Sequence, residues 1–318
     1  EKIFSKILVN ISPSKNSTYA PMQYFIFSGL INNEQNYDEL KFYSRLPSII
    51  FSILTLILTY FFSIKVFKKD DAISLLPVIL VCFSYPLFYT SIRSYNYAAG
   101  TLAVVSIFFL TYLEMIKKSI YFLKIDEHNF SFKKNLSLAF VFSFFAHLNY
   151  IVLTILPLYF IVNFKYNYPI KKIFSKYNIN LLFVGVFYLI FILPLLAFML
   201  KLRLYEHGIT TAAGEFGQYH LTEILKQTHI KNIIYFYINN FYLVISKNLS
   251  FFLDDFYISK LLQPIIFVFV VFGIFISFRE NKKLNKFSKL SIFFFIYYIL
   301  LVYLEISSLG PTRHSTFY

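Results

Sequence analysis

The chain has few of the residues from which soluble enzymes build their sites. Only 14% of its 318 residues are charged, against roughly 25% in a typical soluble domain. The single cysteine, Cys82, excludes a disulfide within the sequence and a metal site made of several thiolates. There is no glycine-rich phosphate-binding loop and no His-Glu-x-x-His pair. Several classes of soluble enzyme and metalloenzyme are therefore excluded.

What the chain does contain is apolar, with 58% hydrophobic and 22% aromatic residues. Its charges stand in blocks separated by charge-free stretches, most of them close to the ~20 residues that a helix needs to cross the hydrocarbon layer. We therefore predict an all-α fold, a polytopic transmembrane helical bundle. The charge-free stretches are 47–64, 72–92, 95–113, 135–163, 178–200, 261–278 and 290–304.

Basic residues predict the orientation, because Lys and Arg are retained on the cytoplasmic side of a membrane. We place four basic clusters inside, and the net charge of +14 is then a topology signal. No separate basic domain suggests a nucleic acid partner. The clusters are Lys65, Lys68 and Lys69; Lys117, Lys118, Lys124, Lys133 and Lys134; Lys165, Lys171, Lys172 and Lys176; and Arg279, Lys282, Lys283, Lys286 and Lys289.

This orientation constrains the long stretch 135–163, because the lysines on both of its sides are inside. It must enter the membrane and come back, with the reversal near His147, Leu148 and Asn149. We expect two helices that are short for a full span, or a re-entrant pair buried by its neighbours. His147 is more often a satisfied turn or packing residue than a ligand at such a position, although intramembrane polar residues can be functional.

The same orientation argues against a crossing at 232–246, because a crossing there would place the basic cluster at 279–289 outside. Its polar residues recur every three or four positions, which makes one stripe of a helix. A helix lying in the membrane interface accounts for this pattern. The stripe consists of Asn232, Tyr235, Asn239, Tyr242 and Ser246.

The resulting map is one transmembrane domain, 1–318. It has an external loop with interfacial helices at 1–46, spans over 47–200, an external loop and interfacial helix at 201–260, spans over 261–304, and an external segment at 305–318. The hinge around Arg93 is also external. Its simplest explanation is an arginine that reaches lipid headgroups between two spans.

Other candidate site residues share the external face. Arginine suits phosphate recognition, and carboxylates, tyrosines and histidines can handle a hydroxyl. Arg45 is also explained by anchoring the start of its span, and Asp38 with Glu39 by opening a short helix. The external candidates are Glu1, Tyr19, Arg45, Arg93, Tyr95, Arg313 and His314.

The order of three segments resembles glycosyltransferase family 39, the protein O-mannosyltransferase and aminoarabinose-transferase-like branch of the GT-C membrane glycosyltransferases. The segments are STYAPMQYFIFSGL, SRLPSIIFSILTLILTYFFSIKVFKK and PLFYTSIRSYNYAAGTLAVVSIFFLTYLE, which cover residues 1 to about 114. The family's Arg-Leu-Pro-Ser start of a span is matched at 45–48, and Arg93 and Tyr95 match its hinge. Departures are Tyr19 and Ala20 for a His-Pro pair, Gln23 for a Tyr, and Ser91 for the hinge glutamate.

The two ends bear on the same resemblance. The family has a first span followed by an acidic pair, whereas this chain begins at Glu1, so we expect the catalytic aspartate to precede it. The final GPTRHSTFY resembles an external segment that leads into another span. We therefore expect a fragment that lacks the first span and the C-terminal part.

The resemblance implies transfer of a sugar from a polyprenyl-phosphate donor to an acceptor hydroxyl of a protein, lipid or glycan at the external face. A carboxylate would take the acceptor proton and positive charge would stabilise the departing phosphate. In these roles the resemblance suggests Glu1 as the acid present, Arg93 and Arg313 at the phosphate or sugar, and Tyr95 and His314 as hydrogen-bonding groups.

We expect a multi-pass protein of a bacterial inner membrane, in contact with membrane lipid and active on its external, periplasmic face; a divalent cation cofactor is left open. The alternatives are a transporter or flippase for a lipid-linked or saccharide substrate, and a non-catalytic scaffold. A transporter would carry ionisable residues near the midplane and related halves.

Overall fold

The computed structural model describes residues 36–67, 71–82, 97–118, 123–149, 151–165, 175–205, 232–240 and 282–303, and the single positions 268, 272, 273, 275 and 276. These residues are helical apart from short connections, and they contain no strand. The helices are α1 Tyr37–Phe67, α2 Asp71–Cys82, α3 Tyr97–Met115, α4 Phe132–Leu148, α5 Ile151–Asn163, α6 Lys176–Tyr205, α7 at 232–240 and α8 Lys282–Tyr303.

Several of these helices can cross a membrane. Four stretches within the described residues are long and apolar enough, which agrees with the predicted all-helical membrane protein. Two shorter apolar helices, Ile73–Cys82 and Ile151–Asn163, accompany them. The four long stretches are Tyr37–Phe67, Ala98–Met115, Lys176–Ala197 and Leu284–Tyr303.

The chain forms two compact units. Unit 1 comprises Glu1–Pro47 and Leu102–His207, and unit 2 comprises Ser48–Thr101 and Gly208–Tyr318. Each unit contains two of the predicted basic clusters, so we can ask within each unit whether its two clusters lie at the same end. The single-domain prediction stays a prediction.

Helix α1 begins with a reciprocal capping box. The backbone N–H of Glu39 donates to Oδ1 of Asn36 at 2.9 Å, and the N–H of Asn36 donates to Oε2 of Glu39 at 3.2 Å. Asp38 and Glu39 lie in the first turn, as predicted. The predicted short helix is wrong in length, because α1 continues through Pro47 for 31 residues. A proline there removes one backbone bond of the helix, and the apolar turns that follow sustain it.

The predicted reversal within 135–163 is confirmed, and Asn149 produces it. Its extended backbone (φ −156°, ψ 127°) ends α4, with its N–H bonded to the carbonyl of Phe145. Its side-chain Oδ1 then accepts the N–H of Ile151 at 3.0 Å, which caps the start of α5. The rings of Phe142 and Tyr159 meet at 4.8 Å across the hairpin. Helices of 17 and 13 residues extend about 25 and 20 Å, short for a full span.

Helix α3 ends in a Schellman motif that uses a lysine where glycine is usual. The N–H of Lys118 donates to the carbonyl of Leu113 at 2.9 Å, and the N–H of Lys117 to that of Glu114 at 3.0 Å. Lys117 has φ 58°, in the left-handed region. This conformation costs an L-residue with a side chain roughly 1 kcal/mol relative to glycine.

Helix α6 has two distinct faces within unit 1. Its buried face faces the hairpin and recurs every three or four residues; these residues are Tyr177, Leu181, Val184, Tyr188, Ile192 and Leu195. The opposite face exposes large apolar side chains, Leu182, Phe183, Val186, Leu189, Ile190 and Leu193. An exposed apolar stripe of this length is what a membrane span presents to lipid.

In unit 2, α1 and α8 bring two basic clusters to one end. The rings of Phe62 and Phe287 meet at 5.7 Å, which places the last turns of α1, with Lys65, beside the first turns of α8, with Lys286. Helix α7 contacts α8 farther along, where the Tyr237 hydroxyl donates to the carbonyl of Ile299.

The contact with α7 lies 12 residues, or about 18 Å, from Phe287 along α8. The predicted helix at 232–246 is confirmed as far as residue 240, and the part from 241 lies outside the described residues. Asn232, Tyr235 and Asn239 of the predicted stripe are exposed, whereas Phe236 and Asn240 are buried. The helix therefore packs through a face that lies beside the polar stripe, while Ile234 and Ile238 on the far side of the stripe are exposed.

Candidate functional site

The densest polar structure among the described residues closes one end of unit 1. Here the loop 123–131 carries two carboxylates that bind three lysines from different segments. Lys134 reaches Asp126 at 3.2 Å, while Lys117 at 3.3 Å and Lys165 at 3.2 Å share Oε1 of Glu127. We call this end the basic end of unit 1. Two basic clusters predicted to lie on one side of the membrane thus meet there.

Asn180, fully buried near the start of α6, holds this loop in place. Its Nδ2 donates to the carbonyls of Asp126 at 2.9 Å and Asn129 at 2.8 Å. Its Oδ1 accepts the N–H of Ser131 at 3.2 Å and Nδ2 of Asn135 at 2.7 Å. One amide therefore uses its full bonding capacity to join α6, the loop and the first turn of α4.

A second asparagine, Asn178, joins α6 to the end of α5. Its Oδ1 accepts the N–H of Lys165 and its Nδ2 donates to the carbonyl of the same residue, both at 3.0 Å. The ammonium of Lys165 lies 4.0 Å from the centre of the Tyr177 ring. The Tyr177 hydroxyl donates to Oε1 of buried Glu114 at 3.2 Å. These contacts connect a buried carboxylate of α3 to the surface ion pairs.

Both loop carboxylates are held in their charged form. The backbone N–H groups of His128 and Asn129, each 3.0 Å from Oδ1, lower the pKa of Asp126 to about 2, with a smaller contribution from Lys134. Partial burial would raise the pKa of Glu127, but hydrogen bonds from Lys165 and Lys117 outweigh it, and that pKa lies below its ordinary value. At neutral pH the two ionised carboxylates of the loop therefore offset two of the three positive charges of Lys117, Lys134 and Lys165.

The imidazole of His147, at the other end of α4, contacts polar atoms of its own helix. Its Nδ1 lies 2.8 Å from the carbonyl of Ser143 and 3.4 Å from the hydroxyl of the same residue. A neutral imidazole donates through Nδ1 to that carbonyl. His147 is therefore a packing residue with a hydrogen-bond partner, which is the role that the sequence favoured over that of a ligand.

Most residues predicted for the sugar-transfer site lie outside the described residues. They are Glu1, Tyr19, Arg93, Tyr95, Arg313 and His314. Arg45 is described: it lies half-buried in the third turn of α1. Among the described residues no group of three His, Cys, Asp or Glu side chains could hold a metal ion.

Comparisons of the chain with protein-family models, with curated proteins and with solved structures each returned no match.

The basic end was only partly visible in the sequence. Its lysines were recognised as a topology signal, but Asn178, Asn180 and Tyr177 were not singled out. Two local patterns in the sequence indicate this cluster. The Asp-x-His-Asn order at 126–129 is typical of an Asx turn and indicates the loop, and the two asparagines spaced by two at the start of a span are Asn178 and Asn180. Because its donors and acceptors bind one another, this cluster clamps helix ends together.

Proposed function

We propose that the protein is an integral membrane glycosyltransferase that moves a sugar from a polyprenyl-phosphate donor to an acceptor hydroxyl on the external face. The proposal is supported by the Arg-Leu-Pro-Ser segment at 45–48 and by the hinge with Arg93 and Tyr95, both of which resemble glycosyltransferase family 39. Such a reaction needs cations at the level of the lipid phosphate and a carboxylate beside the acceptor.

The single observation that carries the proposal is the position of Arg45 on α1. Between Arg45 and Lys65 this helix has 19 residues without charge, and the two cations are about 30 Å apart along it, the thickness of the hydrocarbon layer. Arg45 then lies at the membrane boundary opposite Lys65. With Lys65 inside, Arg45 is at the external boundary, which is where the phosphate of a polyprenyl donor resides.

The chemistry divides among the external residues by type. Arg93 and Arg313 bind the donor phosphate, because a guanidinium matches its oxygens in a bidentate manner. Tyr95 and His314 donate hydrogen bonds, and Tyr19 lines the substrate site. Glu1 is the acidic group of this sequence at the acceptor.

The described helices favour a transferase over a transporter. Helix α5 contains no charged residue, and in α3 and α6 the charged residues occupy the terminal turns and leave the central turns uncharged. The buried Glu114 lies in the last turn of α3 and accepts a hydrogen bond from Tyr177. A coupling-ion or substrate site of a transporter is expected near the midplane.

The test is a transfer assay on the protein in its native membrane with radiolabelled polyprenyl-phosphate sugars, following label into protein, lipid and polysaccharide. We expect transfer that falls by at least about 100-fold in Arg93→Ala and Arg313→Ala, the effect of removing a charge from a transition-state phosphate. Arg203→Ala, at the end of α6 on the same predicted side, is the matched control and should keep wild-type transfer.

Two results would overturn the proposal. One is wild-type transfer in both arginine variants, which removes the phosphate role. The other is accumulation of an unmodified lipid-linked or free sugar in sealed vesicles with no covalent transfer from any donor, which establishes the transporter instead.

A further inference from the structure

The aromatic side chains beside the basic end of unit 1 are exposed although their positions are well defined. Phe130 and Phe132 have 50% and 54% of their surface exposed. Each ring nevertheless contacts α6, Phe130 with Phe183 at 4.8 Å and Phe132 with Phe187 at 5.3 Å, both in edge-to-face geometry. These contacts fix the rings, so their exposure is a property of the packed structure.

The depth of the two rings follows from their partners. Ser131, between them, bonds through its N–H to Asn180, so the backbone here lies near the start of α6. Phe183 and Phe187 lie 7 and 11 residues beyond Lys176, about 10 and 16 Å along the helix. Both belong to the candidate span Lys176–Ala197. The rings therefore extend from the boundary into the layer that the span crosses.

Positive charge accompanies the rings. Lys133 directly follows Phe132 and is exposed. Asp126 and Glu127, the acids of the neighbouring loop, are already bound by Lys134, Lys117 and Lys165. Within the part of the chain that the structure describes, Lys133 takes part in no ion pair. An ammonium thus stands at the boundary beside two rings that reach into the apolar layer.

We propose that Phe130, Phe132 and Lys133 form a binding site for an anionic phospholipid of the leaflet at the basic end. The rings contact its acyl chains, continuing the exposed apolar stripe of α6, and the ammonium binds its headgroup phosphate. Charge complementarity selects an anionic over a zwitterionic headgroup. The predicted topology assigns the basic end to the inside and the sugar-transfer residues to the outside, and the site does not depend on the proposed activity.

The chain contains no tryptophan, so Phe132→Trp provides a single tryptophan within the site, which can be excited at wavelengths where tyrosine does not absorb. The variant is reconstituted into phosphatidylcholine vesicles that carry either brominated phosphatidylglycerol or brominated phosphatidylcholine, and quenching gives the relative binding of the two lipids. We expect phosphatidylglycerol to be preferred by about fivefold, the effect of one lysine at a membrane surface. Phe130→Trp repeats the measurement with the neighbouring ring.

Two charge variants are compared in the Phe132→Trp background. Lys133→Gln should abolish the preference, whereas Lys117→Gln, which removes an equal charge from a lysine already bound to Glu127, should retain it. As a control, Leu193→Trp is made in the chain without the Phe132→Trp substitution. It reports a lipid-facing position ten residues farther along α6 than Phe183 and should show equal quenching by both lipids.

Equal quenching by both lipids at positions 130 and 132, or a preference that survives Lys133→Gln, would overturn the site. Absence of quenching by either lipid there, while Leu193→Trp is quenched, would also overturn it, because protein and not lipid would then cover the rings.

Discussion

The hydroxyl of Tyr177, at the start of α6, donates a hydrogen bond of 3.2 Å to Oε1 of Glu114, which is only 8% exposed near the end of α3. The two residues are 63 positions apart in sequence. Their contact joins α3 to α6 at the basic end, and it supplies a donor to a carboxylate that burial would otherwise penalise.

Removing this hydroxyl should destabilise unit 1. We expect Tyr177→Phe to lower the free energy of unfolding by about 1–3 kcal/mol, because a buried carboxylate loses a donor. Unfolding in mixed detergent micelles measures the change. Tyr188→Phe is the matched control: the buried Tyr188 hydroxyl has no hydrogen-bond partner among the residues that the structure describes, so its loss should be neutral or stabilising. Equal destabilisation by both variants would show that the effect does not come from the hydrogen bond to Glu114.

The left-handed backbone of Lys117 should respond to glycine. Both Lys117→Gly and Lys117→Ala remove an ion pair to Glu127 that is weak because the lysine is 68% exposed. Only glycine relieves the backbone at φ 58°. We expect Lys117→Gly to unfold with about 1 kcal/mol more free energy than Lys117→Ala. Equal free energies of unfolding for the two variants would show that the backbone at position 117 does not keep its left-handed conformation in the membrane.

The depressed pKa of Asp126 should give unit 1 an acid-sensitive loop. A carboxyl whose pKa falls from 3.8 to about 2 on folding contributes stability that is present above about pH 4 and lost as the pH falls toward 2. The protection of the amides of residues 123–131 against hydrogen exchange, measured relative to the intrinsic rate at each pH, should therefore fall across that window. In Asp126→Asn, which cannot ionise, the loss of protection should be smaller, because only Glu127, whose pKa is also lowered, still takes up a proton in this loop as the pH falls; an unchanged pH profile in the variant would contradict the assignment.

The helical hairpin should place two exposed positions on one side of the membrane. His128, before α4, and Lys176, after α5, are both exposed at the basic end. In a Cys82→Ser background, His128→Cys and Lys176→Cys should react with a membrane-impermeant maleimide from the same side, and from the cytoplasmic side if the basic clusters are inside. Labelling from opposite sides would mean that residues 135–163 cross the membrane once.

Charge and hydropathy alone determined much of the described fold. The uncharged runs located the long helices, and lysines on both sides of residues 135–163 required a reversal, which occurs at Asn149. The start of α1 was less visible, because Pro47 indicated a boundary, whereas the capping box of Asn36 and Glu39 begins the helix ten residues earlier. The candidate sugar-transfer residues other than Arg45 lie outside the described residues, and their roles stay predictions.

Transfer of a side chain between water and lipid is a local property, so the sequence by itself determined that this is a helical membrane protein and which of its segments are apolar. Which side chains form ion pairs and hydrogen bonds with one another is not a local property. Only the tertiary structure decided that Glu127 binds both Lys117 and Lys165, and that Asn180 holds a loop some 50 residues away. Packing of distant helices sets those distances, and a pattern read along one chain contains no record of them.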